Sequence, residues 1–430
     1  MELTKLKTPL IKRIITAILA FGPGIFAIGY TIGTGSVTSM IKAGSAYGME
    51  LTWVLLLSCL FSGILIFVYG NYTIITGETA LFSFKKYIRG GKILAILIVL
   101  GISFGQWGSL MGILTISSNM LYEILVLNFE GLNGYQYETV LAIAIAIVGV
   151  FYALMLVGKY SFFEKILVIF VSFMGVSFIL SLFFIHPLPL EVLNGLIPKI
   201  PESQDPNVSG KMMVAAFVGT TMAAATFLSR PLFVKGKNWG IKDLGRQRKD
   251  AISASILVFI ISGAIMAVAC GALYHQGTPV NNVLDMAKPL EPIAGNFAVT
   301  VFLFGTLSAG LSSIFPCLLI APLLVADYQS GTLDTNSNQF RIITAIACLV
   351  ALIGPAFFGG KPILVQILSQ IFNVFVLPLV VLCIILLVNN KKVMKGYKTK
   401  LMVNIGLFAA LFFSCLISYA GAMGVIEKYL

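Results

Sequence analysis

Tyr30-Thr31-Ile32-Gly33-Thr34-Gly35-Ser36 interrupts the first apolar segment of the chain, placing glycines and hydroxyls where a membrane-spanning helix ordinarily carries leucines. Hydrocarbon offers the backbone no hydrogen bonds, so non-helical peptide groups at that depth persist only where they line a cavity or meet a ligand. Half a chain later, Gly219-Thr220-Thr221-Met222-Ala223-Ala224-Ala225-Thr226 breaks the sixth apolar segment in the same way. Paired broken segments in corresponding halves are how secondary transporters build a substrate site at the bilayer midplane. Either break alone has an alternative explanation as a small-residue surface for close helix packing. Two at matching positions favour a site.

Composition agrees. Of 430 residues, 58% are apolar and 11% charged, against about 25% charged in soluble domains, and the mean hydropathy is +0.97. The chain reads as an all-α polytopic membrane protein. The six cysteines lie in apolar runs without CxxC spacing and read as small buried hydrophobes. Lys5, Lys7, Lys12 and Arg13 precede an apolar run too long for a cleaved signal peptide, so it reads as a retained first span. No paired carboxylates, Ser-His-Asp set, HExxH or phosphate-binding loop is present, and the two histidines sit beside expected outer loops. An enzyme is therefore not expected, and neither is a cofactor. The partners implied are the lipid bilayer and a small-molecule or ion substrate, with no nucleic acid.

Apolar runs long enough to cross a bilayer, about 20 residues each, lie at 12–45, 51–75, 93–121, 138–157, 162–185, 211–234, 251–274, 296–326, 341–358, 363–389 and 401–425. The positive-inside rule tests the orientation. With the N-terminus cytoplasmic, only Lys199, Lys211, Lys288, Lys361 and Lys428 of the 29 basic residues fall outside, and Lys42 and Arg230 fall near or within spans. The rest are cytoplasmic, so the net charge of +12 needs no acidic partner. This predicts an integral plasma-membrane protein with its C-terminus outside. Five spans cross an odd number of times, so spans 1–5 (residues 1–190) and spans 6–10 (211–390) have inverted topology. A Pro-rich outer connector (191–210) joins them, and 391–430 carries an eleventh span.

At the breaks, Gly33 and Gly35 are expected to supply unusual backbone angles and Ser36 to cap the following half-helix. Thr34, Thr220, Thr221 and Thr226 bring further hydroxyls, and Ala223 leaves space. Half-helix dipoles at such a break suit either cations or anions.

Gly22-Pro23-Gly24, Ile28-Gly29-Tyr30, Ala43-Gly44, Trp53-Val54-Leu55-Leu56-Leu57-Ser58 and Thr76-Gly77 resemble the opening of the NRAMP family of proton-coupled divalent metal transporters, and Leu368-Ser369-Gln370 with Leu377-Pro378 resembles that family's tenth span. The resemblance implies a LeuT-type fold with spans 1 and 6 unwound around the substrate. It also implies where the site departs from the family. The first unwound stretch of the family is Asp-Pro-Gly-Asn and this chain has Gly33-Thr34-Gly35-Ser36; the family's Met-Pro-His falls on Ala223-Ala224-Ala225. Gln370 matches a polar residue near the family's metal, Asn373 adds a second amide one turn on, and Arg230 stands at a histidine position. Without a carboxylate or a thioether, neutral oxygens remain for a cation, so high-affinity manganese or iron transport and proton coupling are not expected. No metal ligand is assigned.

Arg230, about 10 Å of helix beyond Ala223, is expected either to snorkel to the interface or to line the inward path as a fixed charge. Glu78 and Asp327 are expected to be solvated or capping groups at span ends. The leading function is a secondary-active transporter with alternating access around Gly33–Ser36, Thr220–Thr226 and Gln370. Alternatives are a carrier of a small organic solute such as an amino acid or carboxylate, coupled to sodium, and a non-transporting membrane sensor.

Overall fold

The computed structural model describes residues 24–126, 129–132, 134–156, 160–185, 187–202, 208–274, 280, 287–332, 335–359 and 362–429. Residues 12–23 of the expected first span, His186 and His275 lie outside the described residues. The described chain is almost entirely helical. Nine helical stretches among the described residues are long and apolar enough to cross a membrane, Leu401–Tyr429 included, so this is an integral membrane protein. Length and apolarity do not reach the expected eleven: the first span is described only as two short helices, and in the fifth the described apolar stretch is Leu167–Phe183.

The first span is α1 (Gly24–Thr31) and α2 (Thr34–Tyr47), followed by α3 (Thr52–Thr76), α4 (Ala80–Tyr87) and the long α5 (Gly91–Val126). Helices α6 (Gln136–Leu156) and α7 (Tyr160–Phe184) complete the first half. The connector is not wholly irregular: it forms a short helix, α8 (Pro189–Asn194), and packs over the start of α3, where Gly195 O accepts from Trp53 N at 2.8 Å. The second half runs α9 (Gly210–Thr221), α10 (Ala224–Gly236), α11 (Leu244–Leu273), α12 (Ala287–Ser330), α13 (Asn338–Phe357) and α14 (Pro362–Val388), with α15 (Leu401–Tyr429) last.

Burial sorts these helices. Every residue from Met212 to Val234 is buried, so α9 and α10 form the centre of the bundle. Ile93, Leu97, Leu100 and Phe104 of α5 and Leu401, Ile405, Phe408 and Phe412 of α15 are exposed, the apolar stripes that lipid would cover. Lipid tails compete with side chains for apolar contact, so membrane helices gain cohesion by close approach at small residues. A Cβ on Gly219 would overlap the Gln370 carbonyl of α14, and one on Gly44 the Met266 carbonyl of α11. On α5, Gly101, Gly105, Gly108 and Gly112 face Val376, Asn373, Ser369 and Gln366 of α14. That seam brings the polar residues of spans 3 and 10 together.

Candidate functional site

The two breaks fall where the sequence places them. Thr31 ends α1 and Thr34 opens α2; α9 ends at Thr221, with Met222 (φ −112°, ψ 47°) and Ala223 (φ −69°, ψ 122°) joining it to α10. Two expectations about the first break are corrected. Ser36 is not a cap: it lies inside α2, whose N-cap is Gly33, and its hydroxyl sits 3.4 Å from the Ser262 hydroxyl of α11. Neither Gly33 nor Gly35 takes a positive φ. Their lack of a side chain matters for space instead, since a Cβ on Gly33 would overlap Ser313 and one on Gly35 would overlap the amides of Gln366 and Gln370.

The carbonyls at the breaks are satisfied by hydroxyls of the opposite break and of neighbouring helices, as groups denied water must be. Thr220 Oγ1 donates to Thr31 O at 3.3 Å, Ser313 Oγ donates to Gly29 O at 3.1 Å, and Ser62 Oγ donates to Thr221 O at 2.8 Å. Between the breaks lies a cavity of about 20 Å³, lined by Gly33, Gly35, Thr220, Ala223 and Gln370 from the expected set. Tyr30, Gln106, Ser109, Ile113, Ser313 and Cys317 complete its wall. That volume holds about one water molecule.

One wall is a ladder of amides between α5 and α14. Gln106 Nε2 donates to Asn373 Oδ1 (3.1 Å), Asn373 Nδ2 to Gln370 Oε1 (3.2 Å), and Gln370 Nε2 to Ser109 Oγ (2.8 Å), which also accepts from Gln366 Nε2 (3.3 Å). Asn373 therefore stands in the ladder behind Gln370, not in the lining. Gln106 Oε1 and Gln366 Oε1 are buried with no protein partner. A buried acceptor left unpaired costs free energy, and Gln106, 1% exposed, lines the cavity. Ser109, Ser313 and Gln366 were missed by sequence reasoning. The glycine register on α5 was the available signal for the face carrying Gln106 and Ser109.

Thr221 and Thr226 do not join this cavity. Both line a second one, of about 10 Å³, with Thr31, Ser62 and Ser255. Thr34 opens α2 at the rim of the first break.

Burial overturns the snorkelling reading of Arg230. It is 1% exposed, so it does not snorkel, and its Nη2 lies 2.6 Å from Asp250 Oδ2 of α11, so its charge is matched. Arg230 Nη2 also donates to Gln247 Oε1, and Gln247 Nε2 donates to Ile66 O of α3 at 3.0 Å. Asp250 Oδ2 accepts from Gly24 N, at the start of α1, at 2.9 Å. One ion pair thus ties together α1, α3, α10 and α11. Asp327 is not a solvated group either: it is fully buried and accepts from the Thr79 hydroxyl.

Chemically, the central cavity offers neutral oxygens, amides and a thiol. Among the described residues no group of three or more His, Cys, Asp and Glu is placed to hold a metal ion. The N-terminal ends of α2 and α10 lie at the cavity and contribute partial positive charge.

The chain spans about half the length of some curated relatives and most of others. The divalent metal cation transporter MntH of Clostridium acetobutylicum is 23% identical over 226 residues, 51% of this chain and 50% of that protein. The MntH of Ralstonia nicotianae is 26% identical over 390 residues, 87% of this chain and 83% of that one. The crystal structure of a mutant manganese transporter from Eremococcus coleocola superposes with a TM-score of 0.72 at 13% identity, covering 99% of this chain and 90% of that chain. MhsT in complex with L-phenylalanine gives 0.63 at 17%, covering 96% and 98%. At these identities the structural likeness is one of fold, the LeuT-type arrangement with broken first and sixth spans. The model of the Nramp family, natural resistance-associated macrophage protein-like, matches residues 24–423. The chain belongs to the Nramp family.

Proposed function

We propose that this chain is a secondary-active transporter that carries a small metal cation by alternating access around the paired breaks. The observation that carries the reading is the ion-sized polar cavity between α1/α2 and α9/α10, with Gln106 Oε1 unpaired in its wall. The named functions of the relatives, divalent metal cation and manganese transport, point to the same cargo class. The lining described here holds no carboxylate, so dehydration of a dication is offset only by carbonyl, hydroxyl and amide oxygens. Manganese or iron is then bound in the millimolar range and transport draws on no proton relay in the cavity. The Arg230–Asp250 pair, holding Gly24 N, closes the cytoplasmic side, and its release frees α1 to move.

The orientation proposed is N-terminus cytoplasmic and C-terminus outside in the plasma membrane, with repeats 1–190 and 211–390, a connector at 191–210 and an added span at 391–430. An organic carboxylate is the second reading, favoured by the N-terminal ends of α2 and α10 at the cavity. Admitting it would require the amide ladder to part, since about 20 Å³ is too small for an amino acid. A thermal-stability titration of the purified protein with divalent cations, sodium and amino acids separates these, because a ligand of the native state stabilises by mass action. Stabilisation by divalent cations at millimolar concentration is expected. Stabilisation by an amino acid alone would reverse the order of the two readings.

A further inference from the structure

The second cavity lies beside the joints of both broken helices and is separate from the central one. Its wall includes Thr31, Ser62, Thr221, Thr226 and Ser255, and its volume, about 10 Å³, is that of a single water-sized particle. Thr221 and Thr226 are 2% and 3% exposed, and the hydroxyl of each is buried with no protein partner. Two unpaired hydroxyls in one small chamber are unusual, because buried polar atoms nearly always find a partner.

The chemistry of the wall selects the occupant. Ser62 and Ser255 give their protons to the carbonyls of Thr221 and Cys59, which leaves their lone pairs as acceptors. Thr31 ends α1 and Thr221 ends α9, so two helix C-termini bring partial negative charge to the chamber. Thr226 N is already bonded to Ala223 O at 3.0 Å, so that amide does not donate into the chamber. The cavity wall carries no Lys, Arg or His and no carboxylate. Hydroxyl oxygens at helix C-termini suit a hard cation, and the lack of a countercharge favours single over double charge.

We infer that this chamber is a sodium site, formed by the hydroxyls of Thr221, Thr226, Ser62 and Ser255 and separate from the cargo cavity. Bound sodium holds the ends of α1 and α9 against α3 and α11, bracing both breaks in the closed arrangement. Any role in driving cargo rests on the transporter reading; binding itself does not.

The test is equilibrium binding of radioactive sodium to the purified full-length protein, with potassium and choline as competitors and no cargo present. The expected result is saturable binding at one site per chain that excess potassium displaces poorly. Thr226→Val and Thr221→Val, which keep side-chain shape and remove the hydroxyl, should each weaken it at least about tenfold, and Thr226→Ser should retain it. The two valine variants are independent, so failure of one to fold leaves the other decisive. Absence of saturable binding to the parent would mean that the chamber holds water and would overturn the proposal. Binding retained in a folded valine variant would place the ion elsewhere and overturn it as well. Cargo uptake without sodium binding would refute this site and leave the transporter reading standing.

Discussion

Asp250→Asn strikes the buried ion pair proposed to hold the cytoplasmic side shut. Arg230 is 1% exposed and its guanidinium faces Asp250 Oδ2 at 2.6 Å, so the substitution strands a buried positive charge. Removing one partner of a buried pair costs about 3–5 kcal/mol. The hydrogen bond from Gly24 N is not lost with the charge, since an asparagine oxygen accepts it as Asp250 Oδ2 does. Gln247 Oε1 still accepts from Arg230, which puts the expected cost at the lower end, about 3 kcal/mol. Against a total stability of about 5–15 kcal/mol that is a large fraction. Arg230→Met with Asp250→Leu removes both charges, and replacing a buried pair by apolar residues is often neutral. The double variant should cost much less than the sum of its two single variants, the remainder being the lost partners of Gly24 N and Gln247 Oε1. Equilibrium unfolding of the parent, Arg230→Met, Asp250→Leu and the double variant in detergent gives the coupling energy by a double-mutant cycle, with Asp250→Asn measured beside them. Single variants each costing less than about 1 kcal/mol and adding without coupling would show a solvated pair that latches nothing.

Reporter fusions after residues 245 and 395 should both report the cytoplasm, and an outside signal at either would break the inverted-repeat topology. Gly219→Ala should destabilise by about 1–3 kcal/mol in the same unfolding assay, because its Cβ would overlap the Gln370 carbonyl; Gly149→Ala, with open space around it, should not destabilise and serves as the control. Cation uptake should change by less than about twofold between about pH 5.5 and about pH 7.5, because the amides and hydroxyls of the central cavity do not titrate there; a steep acid stimulation measured in proteoliposomes would require a buried carboxylate such as Asp327 in the mechanism.

Much of this arrangement was legible in the residues. Paired glycine, alanine and threonine runs inside apolar segments mark both breaks, because unwound backbone at that depth persists only where it is buried in protein or lines a cavity. The glycine at 33 was read as a source of backbone freedom, and its purpose became visible only once α12 placed Ser313 against it. Thr220, Thr221 and Thr226 looked like one set of ligands. Each residue in a helix turns its side chain by about 100°, and the break resets that phase, so their division between two cavities depends on geometry that spacing does not carry. The partner of Arg230 was hidden for a related reason: Asp250 lies on the next span, and a pair formed between helices leaves no local period in the sequence.

The most direct test of the central claim is radioactive manganese uptake into proteoliposomes, from micromolar to tens of millimolar, by the parent and by Gln106→Leu. Engineering a family-like site by Gly33→Asp with Ala223→Met is a poorer test unless Ser313→Gly is added, since Ser313 occupies the space the new side chain needs. The account predicts protein-dependent uptake that half-saturates in the millimolar range and falls when Gln106, whose unpaired Oε1 lines the cavity wall, loses its amide. Saturation at micromolar manganese, or no protein-dependent flux at any concentration, would contradict it.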